Sequence, residues 1–231
     1  MALRVVTYNV HKCRGLDRRT TATRIAEVLL EIQPDIAALQ EVLEDQAEAI
    51  ARELAFTLVM GENRKHLGYP YGNAVLSRFP IRASRNYDLS VQGRESRGCL
   101  RADIDWTGPA VLHVFNVHLG TSFFERRLQA RRLVAADLLA DLKLERPRLV
   151  LGDFNEWTSG LATRLLRSHM RSADPRTHLR SRSYPGLLPL LNLDHIYYDP
   201  ELKLERLKLC RTRKALVASD HLPLTAEFTV A

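Results

Sequence analysis

Two stretches of this chain carry nearly the same word, "TYNVH" at residues 7–11 and "VFNVH" at 114–118, and each opens the same local grammar. In the first, "LRVVTYNVH" (3–11) is rich in β-branched and aromatic residues and reads as a strand. Thr20, Thr21 and Thr23 can then cap a helix whose Ile25, Val28, Leu29 and Ile32 recur at helical spacing, Pro34 stops it, and "DIAALQE" (35–41) returns as a short buried strand. In the second, "AVLHVFNVHLG" (110–120) is the strand, Leu128, Leu133, Leu138 and Leu142 mark a helix over 123–142, and Pro147 precedes the strand of "RLVLGDFN". Two strand–helix–strand units imply parallel strand pairs, and hence an α/β fold with two similar halves. Each second strand ends in acid, Glu41 or Asp153, which gathers polar groups at strand ends, where α/β sheets place their sites.

The C-terminal part reverses that order. "LDHIYY" (193–198) and "SDHLPLTAEFTV" (219–230) put an Asp-His pair before the apolar run. For all the polar groups to meet at one edge, these strands must run opposite to the earlier ones. "YGNAVLSRFPI" (71–81) and "GCLRADIDW" (98–106) add further strands, assigned to the first half. The expected architecture is a four-layer α/β/β/α sandwich, two mixed sheets packed face to face with helices outside, as a single domain over 1–231. Residues 171–192 lack a convincing period and form a candidate long functional loop.

The formal net charge of +7 directs the chain towards polyanions such as nucleic acid, anionic lipid headgroups or phosphorylated metabolites, without choosing among them. Cys13, Cys99 and Cys210 are odd in number and in no CxxC pair, which argues against a disulfide framework or structural zinc. The first residues turn polar too soon for a signal peptide and no apolar run is long enough to span a membrane, so a cytoplasmic location is expected.

On an extended chain, residues two apart share a side, so Asp153 and Asn155 of "GDFN" can face one site while Phe154 turns into the packing. Glu41, Asp153 and Asp220 offer carboxylate oxygens and Asn9 an amide oxygen, a donor set suited to Mg²⁺ or Mn²⁺. His118 and His221 are candidates for proton transfer, and Asn155 and Arg97 for donors to phosphate oxygens. Tyr69 and Tyr71, with Arg180, Arg182 and Tyr184 of the long loop, could stack bases or line a lipid cleft.

The ordered motifs "TYNVH", "LQE", "YGNAVLSRFPI", "FNVHLG", "GDFNEW", "LDHIYY" and "SDHLPL" resemble those of the endonuclease/exonuclease/phosphatase superfamily, the DNase I-like metal-dependent phosphoesterases, over nearly the whole chain and nearest its short intracellular bacterial members. The resemblance implies metal ligation by Asn9, Glu41 and Asp220, joined by Asp153. It implies that Asp153 and Asn155 position water and stabilise the transition state. It gives His118 the role of general acid or phosphate binder, and His221 that of general base oriented by Asp194, with His195 structural on the opposite face. The implied function is a Mg²⁺- or Mn²⁺-dependent phosphodiesterase or endonuclease acting on DNA or RNA. The alternative is a phospholipid-headgroup or small-molecule phosphoesterase of the same fold. A non-catalytic binding module would be expected to have lost some of these groups, and none is missing from the sequence.

Overall fold

The computed structural model describes residues 2–107, 110–135, 146–156, 160–174 and 182–230. The chain starts in one sheet with β1 (Leu3–Asn9), α1 (Ala22–Ile32), β2 (Ile36–Leu43), α2 (Glu44–Leu54), β3 (Thr57–His66) and β4 (Tyr69–Ser77). It crosses to a second sheet for β5 (Ile81–Asp88), β6 (Gly98–Thr107), β7 (Ala110–His118), α3 (Phe123–Val134), β8 (Arg148–Asp153), α4 (Leu161–His169), β9 (Arg171–Ser172) and β10 (Asp194–Tyr198). It then returns to the first for β11 (Leu202–Leu209), α5 (Arg213–Ala218) and β12 (Leu224–Val230).

The two six-stranded sheets repeat one order, β11-β12-β1-β2-β4-β3 and β5-β6-β7-β8-β10-β9. In each, the echoed units supply the parallel pair, β1 with β2 and β7 with β8, and the flanking strands are antiparallel. The reversed direction expected for "LDHIYY" and "SDHLPLTAEFTV" is therefore present. Leu3, Val5, Ile36 and Ala38 meet Leu112, Val114, Leu149 and Leu151 between the sheets, while Val6, Tyr8 and Leu39 pack outward on α1 and α2 and Phe115 and Val150 on α3 and α4. That is the expected four-layer sandwich. Each aliphatic side chain so buried stabilises it by about 1.5–3 kcal/mol.

Several local expectations need correction. The 98–106 strand belongs to the second sheet, and 71–81 is not one strand but the crossing itself, broken after Ser77 and resumed at Ile81. Thr21 precedes α1 without a side-chain cap, and a left-handed Gln33 (φ 53°) ends the helix before Pro34. Leu128 of α3 is 44 % exposed rather than core, and Leu138 and Leu142 lie outside the described residues. Described parts of the long loop are ordered by a Tyr184–Leu191 bridge, while Arg180 lies outside them. β11 alternates exposed charge with half-buried apolar residues, and β3 runs from half-buried Leu58, Val59 and Met60 into the polar stretch Glu62–His66; neither strand is among those expected from the sequence, nor are α4 and α5.

Candidate active site

Period-two alternation builds the site from the inward-facing rows of the central strands. Along β1 that row reads Leu3, Val5, Thr7, Asn9; along β7, Leu112, Val114, Asn116, His118; along β8, Leu149, Leu151, Asp153. One end of the inter-sheet layer is thus apolar and the other polar. Between them lies a tier of buried amides: Gln40 Nε2 donates to Asn116 Oδ1 (2.7 Å), and Asn116 Nδ2 to the carbonyls of Leu39 and Ala74 (2.8 Å each). Asn73 Nδ2 donates to the carbonyls of Gly98 (3.0 Å) and Asn116 (3.2 Å). Bonded to one another and to backbone carbonyls across both sheets, with Asn73 Oδ1 left unpaired, these amides form the floor of the site.

Strict alternation would turn Glu41 outward with Ala37 and Leu39. A bulge between Leu39 and Val42, with Glu41 at φ 55°, re-aims its side chain into the site, and β2 continues beyond it to Leu43. The carboxylate then lies 3.3 Å from Asn9 Nδ2, 3.6 Å from both His11 Nδ1 and Lys12 Nζ, and 3.9 Å from His118 Nε2. Burial works to raise its pKa, yet these groups together hold the carboxyl far below the usual range. Tyr71 is hydrogen-bonded to Glu41; burial and that carboxylate push its phenol far up.

Asp153 occupies the centre. Its Oδ2 accepts from Asn9 Nδ2 (2.9 Å) and lies 3.8 Å from His118 Nε2 and 3.7 Å from His221 Nε2. Burial pushes its pKa up. Asn155 reaches the same place by a turn rather than by strand alternation: β8 stops at Asp153, Asn155 adopts φ 50°, and its N–H donates to Asp153 Oδ1 (2.9 Å). Its Nδ2 donates to the Leu119 carbonyl (2.9 Å) and lies 3.5 Å from His118 Nε2. Phe154 is buried on the outer side, where His195 Nε2 meets the Glu156 carbonyl at 3.1 Å. His195 therefore lies away from the site.

The two histidines are tuned in opposite directions. His118 is lowered to about 4, by burial first and then by the Arg97 charge. His221 is raised to about 10: burial opposes the shift, but the charges of Asp194 and Asp153 and the Asp194 hydrogen bond outweigh it. Asp194 Oδ2 lies 2.9 Å from His221 Nδ1 and also accepts from Ser183 Oγ. Arg97 is 6 % exposed, with Nη2 2.9 Å from Glu95 Oε2. Asp220 stands at the rim, linked to Glu41 through His11, whose Nδ1 is 3.8 Å from Asp220 Oδ2 and 3.6 Å from Glu41 Oε2.

His11, Lys12 and Ser183 were not found from the sequence, although the echo of "NVH" at 9–11 and 116–118 pointed to His11 as the counterpart of His118. Tyr69 is exposed at the hairpin, Tyr71 sits inside the site with the Arg64 guanidinium 4.6 Å from its ring, and Tyr184 lies 4.9 Å from the His221 ring, leaving little of its face for a stacked base. A separate cleft of about 400 Å³ lined by Arg4, Asp35 and Arg78 lies at the opposite end of the first sheet and holds none of these residues.

Among the described residues no three His, Cys, Asp or Glu side chains form a ready-made metal cage. Mg²⁺ does not require one, since it binds through one or two carboxylates and keeps several waters. Glu41 and Asp220 suit it: both are oxygen donors, and both reach the same ring nitrogen of His11. Asn9 as placed spends Nδ2 on the carboxylates of Glu41 and Asp153 and Oδ1 on the His11 N–H (3.1 Å), so here it orients those two carboxylates.

A profile described as "Endonuclease/Exonuclease/phosphatase family" matches residues 6–221. A relative from Escherichia coli (strain K12), "Uncharacterized protein YbhP", is 33 % identical, over 98 % of this chain and 96 % of its own. Among solved structures, the Bacteroides thetaiotaomicron mannosyl-6-phosphatase superposes with TM-score 0.81 at 17 % identity, covering 98 % of this chain and 99 % of its own. The D. rerio TDP2 complexed with a single-strand DNA product gives TM-score 0.79 at 17 % identity and 99 % coverage of both. At these identities the two structures share the fold, while the profile takes in every strand that carries a candidate residue; the chain belongs to the endonuclease/exonuclease/phosphatase family of phosphoesterases.

Proposed function

We propose that this chain is a Mg²⁺- or Mn²⁺-dependent phosphodiesterase. The observation that carries the reading is the placement of His118 and His221 around one oxygen of Asp153, at 3.8 and 3.7 Å, with opposite proton affinities. Hydrolysis needs both kinds of group: a water oxygen bonds phosphorus as the opposite P–O bond breaks, one imidazole takes the water's proton, and the departing oxygen receives a proton from the other. Glu41 and Asp220 would hold the cation, which supplies Lewis acidity towards a phosphate oxygen. Asn155 Nδ2 and Arg97 donate to the oxygens that gain charge.

In the metal-free site burial lowers His118 while Asp194 and Asp153 raise His221, whereas the sequence resemblance gives His118 the acid's role and His221 the base's. Asp194 fixes the tautomer, leaving Nε2 of His221 to exchange the proton. The pH profiles of His118→Ala and His221→Ala separate the two assignments by which limb each variant removes.

Nucleic acid is the first reading of the substrate, suited to the net positive charge, and a lipid-headgroup diester, which the same charge suits, is the second, favoured by exposed apolar side chains at the site mouth. The buried thiols of Cys13, Cys99 and Cys210 support a reducing, cytoplasmic location. The test is hydrolysis of supercoiled plasmid, of soluble bis(p-nitrophenyl) phosphate and of a lipid diester, with Mg²⁺ or chelator and with Asp153→Ala. Metal-dependent turnover lost in the variant is expected. A folded wild type inactive on all three would overturn the reading.

A further inference from the structure

Exposed large apolar side chains are not scattered evenly over this protein. Leu67 (86 % exposed) is at the tip of the β3–β4 hairpin, with Tyr69 (54 %) beside it. Phe123 (54 %) and Phe124 (77 %) open α3, and Leu187 (71 %) and Leu188 (66 %) project from the loop before β10.

Topology puts all three places at one end of the sandwich. The hairpin tip lies four residues before Tyr71, which contacts Glu41, and α3 begins five residues after His118. The leucine loop is tied to the catalytic segment by the Gly186 N–H, which donates to the Asp220 carbonyl (2.7 Å). At the far end of the sheets, Leu30 on α1 and Val230 on β12 are exposed as single positions. Single exposed apolar residues are ordinary, but paired ones on three separate protrusions around one site are not.

Cationic side chains accompany them. Lys65 is exposed two residues from Leu67, and the Arg127 guanidinium lies 5.6 Å from the Phe123 ring centre. Separate apolar tips, two of the three flanked by cations, fit a flat partner that is apolar beneath an anionic surface. Phe123, Phe124 and Tyr69 could stack on bases, but Leu67, Leu187 and Leu188 can neither stack nor donate to phosphates, so the set taken together suits a bilayer better than a nucleic acid.

We propose that the mouth of the site docks on anionic lipid bilayers through Leu67, Phe123, Phe124, Leu187 and Leu188, presenting a phospholipid-headgroup diester to the site. The substrate assignment rests on the phosphodiesterase reading above; the docking does not. It selects lipid where net charge alone does not choose between nucleic acid and lipid.

The test is co-sedimentation of the full chain with phosphatidylcholine vesicles and with phosphatidylcholine–phosphatidylglycerol vesicles, for wild type and a Leu67→Ser/Phe124→Ser/Leu188→Ser triple variant. These positions are exposed, so the variant should fold, which its circular dichroism and unchanged turnover of soluble bis(p-nitrophenyl) phosphate will show. Wild type is expected to pellet with the anionic vesicles, and the variant to bind them at least about 10-fold more weakly, each lost leucine or phenylalanine removing part of its transfer free energy. Wild type left in the supernatant with both vesicle types overturns the proposal, as does a variant that pellets like wild type. A dimer in gel filtration that the same substitutions dissociate, or DNA retention that they abolish without vesicle binding, overturns it in favour of a copy–copy or nucleic-acid surface. Vesicle binding without hydrolysis of any diester would leave the docking standing and sink the catalytic reading.

Discussion

His221 Nδ1 and Asp194 Oδ2 lie 2.9 Å apart in a site that leaves them 5 % and 0 % exposed. The two come from segments 27 positions apart, and Ser183, from the loop that precedes Asp194, donates to the same carboxylate oxygen. Burial alone would strip the proton from this imidazole; the carboxylates keep it there.

Asp194→Asn keeps the shape of that contact and removes its charge. In chelator-treated protein, an NMR titration should show His221 moving from about 10 down to the ordinary imidazole range of about 6.5 or below. Turnover should fall by about 100-fold or more. A ring still protonated at alkaline pH in the variant would show that Asp194 is not what holds the proton.

The same shift fixes how stability depends on pH. Folding raises the His221 pKa, so its contribution is fully present below the unfolded value of about 6.5 and is lost as pH rises to about 10. Urea midpoints of metal-free wild type and His221→Gln should therefore differ most near neutral to mildly acidic pH and converge in alkali. A gap that widened with pH would contradict this sign.

Gly152 adopts φ 150°, and a Cβ there would lie 1.9 Å from the Val117 carbonyl oxygen, inside the β7–β8 pairing. Gly152→Ala must separate the two strands that carry His118 and Asp153. A loss of more than about 3 kcal/mol in urea unfolding is expected, or no folded protein at all. A variant of near wild-type stability would mean that this strand pair can shift without cost.

Asn9→Asp replaces the amide that donates to Asp153 (2.9 Å) and Glu41 (3.3 Å) with a third carboxylate. The variant should melt well below wild type in chelator and recover more than wild type does on adding Mg²⁺, because the ion binds the folded state preferentially. Equal Mg²⁺-induced rises in Tm for the two proteins would argue against a cation beside these groups.

The two halves were legible because each carries a complete local signal: β-branched strand, helical period, proline stop, second strand. The edge strands β3 and β11 were not: β11 alternates lysine, arginine and glutamate with half-buried residues, and β3 joins a short apolar run to the polar Glu62–His66, patterns not distinct from a solvated loop. Among the site residues, Asn9, Glu41, His118, Asp153, Asn155, Asp194, Asp220 and His221 were each nameable from their motifs, and the structure gathers them around Asp153 and Glu41. His11 and Lys12 were missed because their approach to Glu41 depends on a left-handed 3-10 turn (His11–Cys13) that nothing in "HKCR" announces.

The amino-acid sequence by itself determined the inward rows that change from apolar to polar along each central strand, because side-chain alternation is local and needs no partner. The tertiary structure alone decided three things: the bulge that turns Glu41 inward, the opposite proton affinities of His118 and His221, and the meeting of three apolar tips at one end. Each depends on groups distant in the chain, since strand pairing sets the bulge, burial and charge set the proton, and the order of strands in two sheets sets which loops become neighbours.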